Sequence, residues 1–345
     1  MINELSIQIV DKFNKVDYNN FIYNNQNTSI FQTLEMAEVY NYNRNTKPLI
    51  LVAINKDTGE ILATLLAKIL SHKSGLLKSF ATHSTIRGGP IYKNDYDGIL
   101  ATIQLLKYYK NIIKNDVLYT RIYPLNNPEQ IIPSFKSCGY QQQDWQNYLL
   151  KLDRPISEIW KQLKKSRRYG INVAKKRNVI IEEMKDKNLL PIFYKLLSET
   201  FKNRKNPIED ISNFEAAFDL LVPKNMAKFF LAKYNDKYIA ALLILLYKDV
   251  AYEWYTGSSK NSQDLSLYPN DMLVWHAIEW CYNNGFMTFD FGGGGLPGEA
   301  EEGWVRFKKE FGGSLVNYGR FTLLHQPIKL FFSEKAFLVY KNIFI

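Results

Sequence analysis

The stretch Gly285–Gly313, GFMTFDFGGGGLPGEAEEGWVRFKKEFGG, decides how the chain is read. Phe286 to Phe291 is the short apolar run of a buried strand, closed by glycines from Gly292 to Gly295. After an acidic loop, Gly303 to Phe311 predicts a helix: Trp304, Phe307 and Phe311 recur at i, i+3 and i+7 as one apolar stripe. Gly312 and Gly313 then stop it. A strand that enters a loop free of side chains is where α/β proteins receive ligands, and Gly293 and Gly294 let a substrate approach the backbone there. Lys308 is set one position past Phe307, so its ammonium can leave the stripe and face that cleft.

Working outward, 345 residues suggest two domains, and a formal charge of +10 favours polyanionic partners such as nucleic acid, phosphates or an anionic membrane face. The two cysteines, Cys138 and Cys281, lie far apart without metal spacing, so neither a disulfide framework nor a metal site is expected. The N-terminus lacks the basic-then-apolar pattern of a signal peptide. The longest apolar run, Ile239 to Tyr247, is far short of the roughly 20 residues that span a bilayer. A cytoplasmic soluble protein without a transmembrane segment is expected.

The first half predicts a strand at Ser6–Val10, helices at Asp17–Tyr23 and Gln32–Tyr42, and strands Leu49–Ile54 and Ile61–Ile69 joined by a turn at Asp57-Thr58-Gly59. An irregular region broken at Arg87-Gly88-Gly89-Pro90 follows. Helix Ile99–Lys114, strand Val117–Tyr123, helix Pro128–Lys136 and strand Gln146–Lys151 complete this half. The order then repeats. A basic helix, Pro155–Lys176, bends near Gly170; strand Val179–Met184 and helices Leu189–Phe201 and Ser212–Leu221 follow, the last capped by Ser212. Hairpin Met226–Tyr234/Tyr238–Tyr247, strand Val250–Thr256 and helix Asn270–Asn283 lead to the opening stretch, and strand 315–324 ends the half. The fold class is α/β with mixed sheets and helices on both faces. The expected domains are 1–152 and 153–325, with the apolar segment 326–345 packing back onto the first; an interfacial membrane contact is the alternative for that segment.

FDFGGGG followed by WVRFKKEFGG resembles the signature of the Fem-type aminoacyl transferases, peptidoglycan interpeptide-bridge enzymes built from two tandem GNAT-like (acetyltransferase-fold) domains. WKQLKKSRRYGINVAKK from Trp160 to Lys176, EWYTGSS, and PNDMLVWHAIEW from Pro269 to Trp280 support the resemblance, which covers most of the second half. The first half matches in general pattern, with Phe31-Gln32-Thr33 its best local echo. The resemblance implies transfer of an amino acid from aminoacyl-tRNA to an amine of a stem peptide on a nucleotide- or lipid-linked muropeptide, with no bound cofactor. It implies that Phe307-Lys308 is the active-site pair, that Tyr255 and Arg204 line the precursor groove, and that the lysine meets substrate phosphate and the tetrahedral intermediate. The sequence departs from the family in lacking a coiled-coil arm and in placing Glu35 and Glu38 where a first-domain groove lysine is expected.

Chemically, a fixed cation or backbone N–H aimed at the oxyanion accelerates acyl transfer by about 10²–10³. The acceptor amine attacks directly, so no side-chain nucleophile is needed; Asp290, Asp264 and Asp271 are the acids near the loop ends that could serve as a base. Lys161, Lys164, Lys165, Arg167, Arg168, Lys175, Lys176 and Arg177 form a dense cationic run, either a solvated face or a phosphate-binding one, with Arg167 and Arg168 at its centre. The spacing Gly293-x-Gly295-x-x-Gly298 satisfies a dinucleotide fingerprint only on paper, since Pro297, Glu299, Glu301 and Glu302 follow and repel a pyrophosphate. The scattered histidines form no known metal motif. Two alternatives stay open: an N-acyltransferase using acetyl-CoA or another acyl-CoA, against which the failed pyrophosphate pattern Arg167-x-x-Gly170-x-Asn172 counts, and a non-catalytic basic binding module.

Overall fold

The computed structural model describes residues 6–71, 80–204, 206–296, 303–333 and 335. The chain divides into two units, one of Met1–Asp144 with Tyr318–Ile345 and one of Trp145–Asn317.

The first unit runs β1 (Ile7–Val10), α1 (Lys15–Asn24), α2 (Leu34–Tyr42), β2 (Thr46–Asn55), β3 (Ile61–Leu70), β4 (His83–Arg87), β5 (Ile91–Tyr92), α3 (Tyr96–Ile113), β6 (Tyr119–Tyr123), α4 (Ile132–Ser137) and β7 (Gln141–Gln143). Asn14 and Thr33 cap the first two helices with their side chains, satisfying N–H groups that lack partners inside a helix. The second unit runs β8 (Gln146–Lys151), α5 (Ile156–Gln162), α6 (Lys165–Lys176), β9 (Ile180–Glu183), α7 (Leu190–Asn203), α8 (Ile211–Leu221), β10 (Ala227–Tyr234), β11 (Lys237–Tyr247), β12 (Val250–Ser258), α9 (Ser262–Leu265), α10 (Pro269–Asn283), β13 (Thr288–Gly295), α11 (Gly303–Glu310) and β14 (Ser314–Asn317). The chain then returns to the first unit with β15 (Arg320–Leu324).

Each unit holds one mixed sheet, ordered β1-β2-β3-β4-β6-β15-β7 with β5 beside β3, and β14-β8-β13-β12-β11-β10-β9. Among the described residues each sheet contains a single parallel pair, β4 with β6 and β12 with β13, and in both the strands are connected through a helix, α3 or α10. The duplicated element order therefore reappears as duplicated topology. In the first unit the gap that opens between the antiparallel strands β3 and β4 beyond Lys68/Thr85 is filled. Gln32 donates to the carbonyls of Leu66 (3.1 Å) and Arg87 (2.9 Å) and accepts from Leu66 N (2.7 Å), bridging strands that have parted. A Cβ at Gly89 falls 2.5 Å from Gln32 Cδ, and one at Gly88 falls 2.1 Å from Ser29 Oγ, which explains the two glycines at that break.

Several expectations change. The region around Arg87 is not irregular but holds β4 and β5. The basic helix breaks at Leu163-Lys164 rather than at Gly170; Gly170 lies inside α6, where a Cβ meets Tyr268 at 2.9 Å and Asp271 at 3.0 Å, so its role is close packing of α10. Asp210, not Ser212, caps α8, accepting from Ser212 N at 3.0 Å. Gly292–Gly295 continue β13 instead of closing it. The strand expected at 315–324 is two, separated at Tyr318-Gly319, where Gly319 has φ +71°. The division consequently falls at 144/145 and 317/318, not at 152/153 and 325/326: β8 hydrogen-bonds β13 and β14, while β15 hydrogen-bonds β6 and β7. Residues 327–333 are helical in the first unit, following Gln326, whose amide donates to the carbonyls of Asn115 and Val117. The acidic loop at 297–302, with Gly298 of the dinucleotide spacing, and the tail at 336–345 lie outside the described residues.

Candidate active site

Strands β12 and β13 pair at Val250/Thr288, Ala251/Phe289 and Tyr252/Asp290, and no further. Beyond that point β12 stays with β11 as far as Ser258, and β13 stays with β8 as far as Gly295. The sheet opens at the carboxyl ends of its parallel strands, the position where open α/β sheets bind ligands. Two local features steer the strands apart. Opposite Leu243 and Ile244 the partner skips from Tyr255 to Glu253, a bulge at Trp254, and bulges bend a strand and raise its twist. On the other side Gly292 and Gly295 take φ of +75° and +85°, where a side chain is strained, and the register with β8 shifts between Asp290 and Gly293.

The bulge also alters what the strand presents. Strict alternation separates Trp254 from Tyr255, yet their rings lie 5.2 Å apart. Tyr255 packs on Phe201 (5.7 Å) and Phe214 (4.8 Å), which makes it a member of an aromatic cluster with α7 and α8. Arg204, at the end of α7, is exposed.

Lys308 is half-buried on α11, and its Nζ donates to the Gly293 carbonyl at 3.0 Å while lying 5.1 Å from the centre of the Trp304 ring. The ammonium thus rests on the glycine segment that borders the opening. Gly294 follows in β13. A Cβ at Gly293 approaches Trp145 Nε1 to 3.1 Å, so glycine lets the strand lie close against the indole.

The helix carrying Lys308 is seated by Phe311, fully buried 6.1 Å from Phe291, and by Phe307, 4.8 Å from Phe311. Arg167 of α6 completes the seat. Its guanidinium pairs with Asp271 of α10 and with Glu310 of α11, each at 2.9 Å, and lies 5.0 Å over the Phe307 ring. Lys164 N donates to the Glu310 carbonyl at 2.9 Å. Arg167 is therefore held by two carboxylates and a ring, whereas Arg168 beside it is half-buried and has no partner among the described residues. Burial pushes the Asp271 carboxyl up to about 6 against the opposing pull of Arg167.

Of the acids considered as a base, Asp264 is bound to Lys237 at 2.6 Å on α9, and Asp271 is tied to Arg167. Asp290 is buried, accepting from Asn147 Nδ2 (2.9 Å) and Gly292 N (2.7 Å). The sequence reasoning missed Glu253. Its Oε1 accepts from the Thr256 hydroxyl, and its Oε2 is buried with no hydrogen-bond partner among the described residues. Burial raises its pKa; Lys308, the Thr256 hydrogen bond and Arg204 pull it down, and Asp290 adds to the rise. An acid within the aromatic strand VAYEWYTG is the signal that could have found it. Among the described residues no cluster of three His, Cys, Asp or Glu could hold a metal, and no helix is long and apolar enough to cross a membrane.

Residues 159–309 match the acetyltransferase (GNAT) domain family, and the chain is an acyltransferase. A comparison with curated protein sequences finds no match. Among solved structures, FemX shares the fold at TM-score 0.70, with 18% identity over 97% of this chain and 99% of that one. A tandem GNAT protein from the clavulanic acid biosynthesis pathway matches at TM-score 0.58, with 8% identity over 93% and 99% of the two chains. L-PGS from Bacillus licheniformis matches at 0.56, with 14% identity over 96% and 97%. The Fem-type resemblance of the motif block thus extends, as fold, across the chain.

Proposed function

We propose that the chain moves an amino acid from aminoacyl-tRNA to an amine of a peptidoglycan-precursor stem peptide, with Lys308 stabilising the oxyanion. The observation that carries this reading is the Lys308 ammonium resting on the Gly293 carbonyl beside the opening between β12 and β13. When the amine attacks the ester carbonyl, that ammonium exchanges a neutral acceptor for an anionic one, so the contact strengthens as charge develops. Phe307 keeps the lysine in register, and the backbone of Gly293 and Gly294 lets the ester approach.

The helix that joins the parallel strands bears on the donor. A pyrophosphate is ordinarily cradled at such a helix N-terminus. Here the first turn of α10 carries buried Asp271, and α6 covers it with Gly170 against Tyr268. Paired there with Arg167, the Asp271 carboxylate occupies the turn that would otherwise receive the pyrophosphate of coenzyme A. The exposed Lys161, Lys164 and Lys165, with Arg168, supply a face for tRNA phosphates. The likeness to FemX supports a muropeptide acceptor, nucleotide- or lipid-linked. Work in the cytoplasm follows from that acceptor and donor.

The GNAT domain match favours a second reading, transfer from acyl-CoA. Incubation with a mixture of charged tRNAs, and separately with acetyl-CoA, in the presence of muropeptide acceptors distinguishes the two. Transfer from tRNA that disappears in Lys308→Met supports the first; transfer from the thioester alone supports the second. Binding without turnover from either donor means a basic binding module instead.

A further inference from the structure

We infer that Glu253 is the group that accepts the proton from the attacking amine. The inference rests on the transfer reading above and adds the base that reading lacks.

Position comes first. Glu253 follows Tyr252, the last residue of β12 to pair with β13, and the bulge at Trp254 sits immediately after it. It therefore stands where the two strands separate, on the strand facing the segment that holds Lys308. The charges that act on its carboxylate come from the same site: Lys308, Arg204 and Asp290.

Its hydrogen bonding comes second. Oε1 is occupied by Thr256, but Oε2 is out of solvent and lacks a donor among the described residues. A buried acceptor left unmatched is costly, and native proteins keep few of them without a use. The neighbouring acids are already committed: Asp290 to Asn147 and Gly292, Asp271 and Glu310 to Arg167. Glu253 stands where the two strands separate, and among the described residues its Oε2 has neither a hydrogen-bonded donor nor an ion-pair partner. An ammonium entering between the strands supplies the missing donor.

The chemistry balances without a further reagent. The acceptor arrives as an ammonium and gives one proton to Glu253 Oε2. Its nitrogen lone pair then bonds to the ester carbonyl carbon, placing negative charge on the oxygen that Lys308 faces. Collapse breaks the ester C–O bond. The second proton on nitrogen passes to the departing hydroxyl oxygen of the tRNA, and Glu253 later releases its proton to water. Burial raises the pKa of this carboxyl, which makes it a stronger base than an exposed glutamate.

The test compares Glu253→Gln and Glu253→Asp with the wild type, each checked by circular dichroism, using charged tRNA and a muropeptide acceptor. Glu253→Gln keeps the shape and the Thr256 contact but cannot accept a proton. Its kcat should fall by about 10²–10⁴-fold with KM for the charged tRNA unchanged, and the acidic limb of the kcat–pH profile should vanish. Glu253→Asp keeps the charge and should retain more activity than Gln. Glu253→Gln within threefold of wild type, or equal to Asp, overturns the inference. The two failures are distinct: no turnover by the wild type with either donor sinks the transfer reading and the base with it. Turnover that survives Glu253→Gln sinks the base alone.

Discussion

Arg167 and Asp271 meet at 2.9 Å, and from there the guanidinium reaches Glu310 on the helix that carries Lys308. Arg167, part of a cationic run that the sequence leaves as either a solvated or a phosphate-binding face, is a clasp across α6, α10 and α11. Removing one partner of a buried ion pair leaves the others unpaired and costs about 3–5 kcal/mol. Arg167→Met should lower stability by about that amount in urea unfolding, and should lower kcat without changing the salt dependence of tRNA binding. A mutant of native stability with weakened tRNA affinity assigns Arg167 to phosphate after all.

The clasp gives a pH dependence with a definite sign. Asp271 is raised from 3.8 to about 6, so between those values the folded state binds more protons than the unfolded state at this group. Its contribution is greatest below about pH 4 and is lost as pH rises through 6. Thermal melts of wild type and Asp271→Asn between pH 4 and pH 7 measure this. The difference between them should shift in favour of Asn as pH rises, because Asn keeps no charge to desolvate.

The exposed cations of α5 and α6 should behave unlike the clasp. Replacing Lys161, Lys164 and Lys165 together by Ala should weaken tRNA binding and reduce the slope of log K against log salt by about 2–3, one phosphate contact per lysine. Melting temperature should stay close to that of wild type, since all three are solvated. An unchanged slope makes them an ordinary surface.

Gly293→Ala tests the carbonyl on which the lysine rests. A Cβ at 3.1 Å from Trp145 Nε1 forces the strand or the indole to yield by a few tenths of an ångström. Expected is a drop in kcat of about tenfold, equivalent to about 1.4 kcal/mol in the barrier, with the fold retained by circular dichroism.

Much of this was legible beforehand, and what was not has physical causes. The hairpin at Asp57-Thr58-Gly59 and the Phe307/Phe311 stripe rest on local turn chemistry and periodicity, and both are present. Gly292–Gly295 read as a loop because glycine is a poor strand former, but pairing with β8 supplies the hydrogen bonds that propensity withholds. The chain from Ser314 to Leu324 is short and rich in strand-forming residues, and local propensity does not say that its two ends hydrogen-bond different sheets. Arg167 looks like its cationic neighbours until Asp271 and Glu310, distant in sequence, are brought to it. Glu253 was hidden for a similar reason: an unpartnered oxygen is a property of its surroundings, not of the residue.

The most direct measurement is single-turnover transfer from charged tRNA to a muropeptide by wild type and Lys308→Met, the variant keeping the stem over Trp304 and losing the charge. The account predicts a loss of about 10²–10³-fold in rate with donor binding unaltered. Transfer by Lys308→Met at the wild-type rate contradicts it.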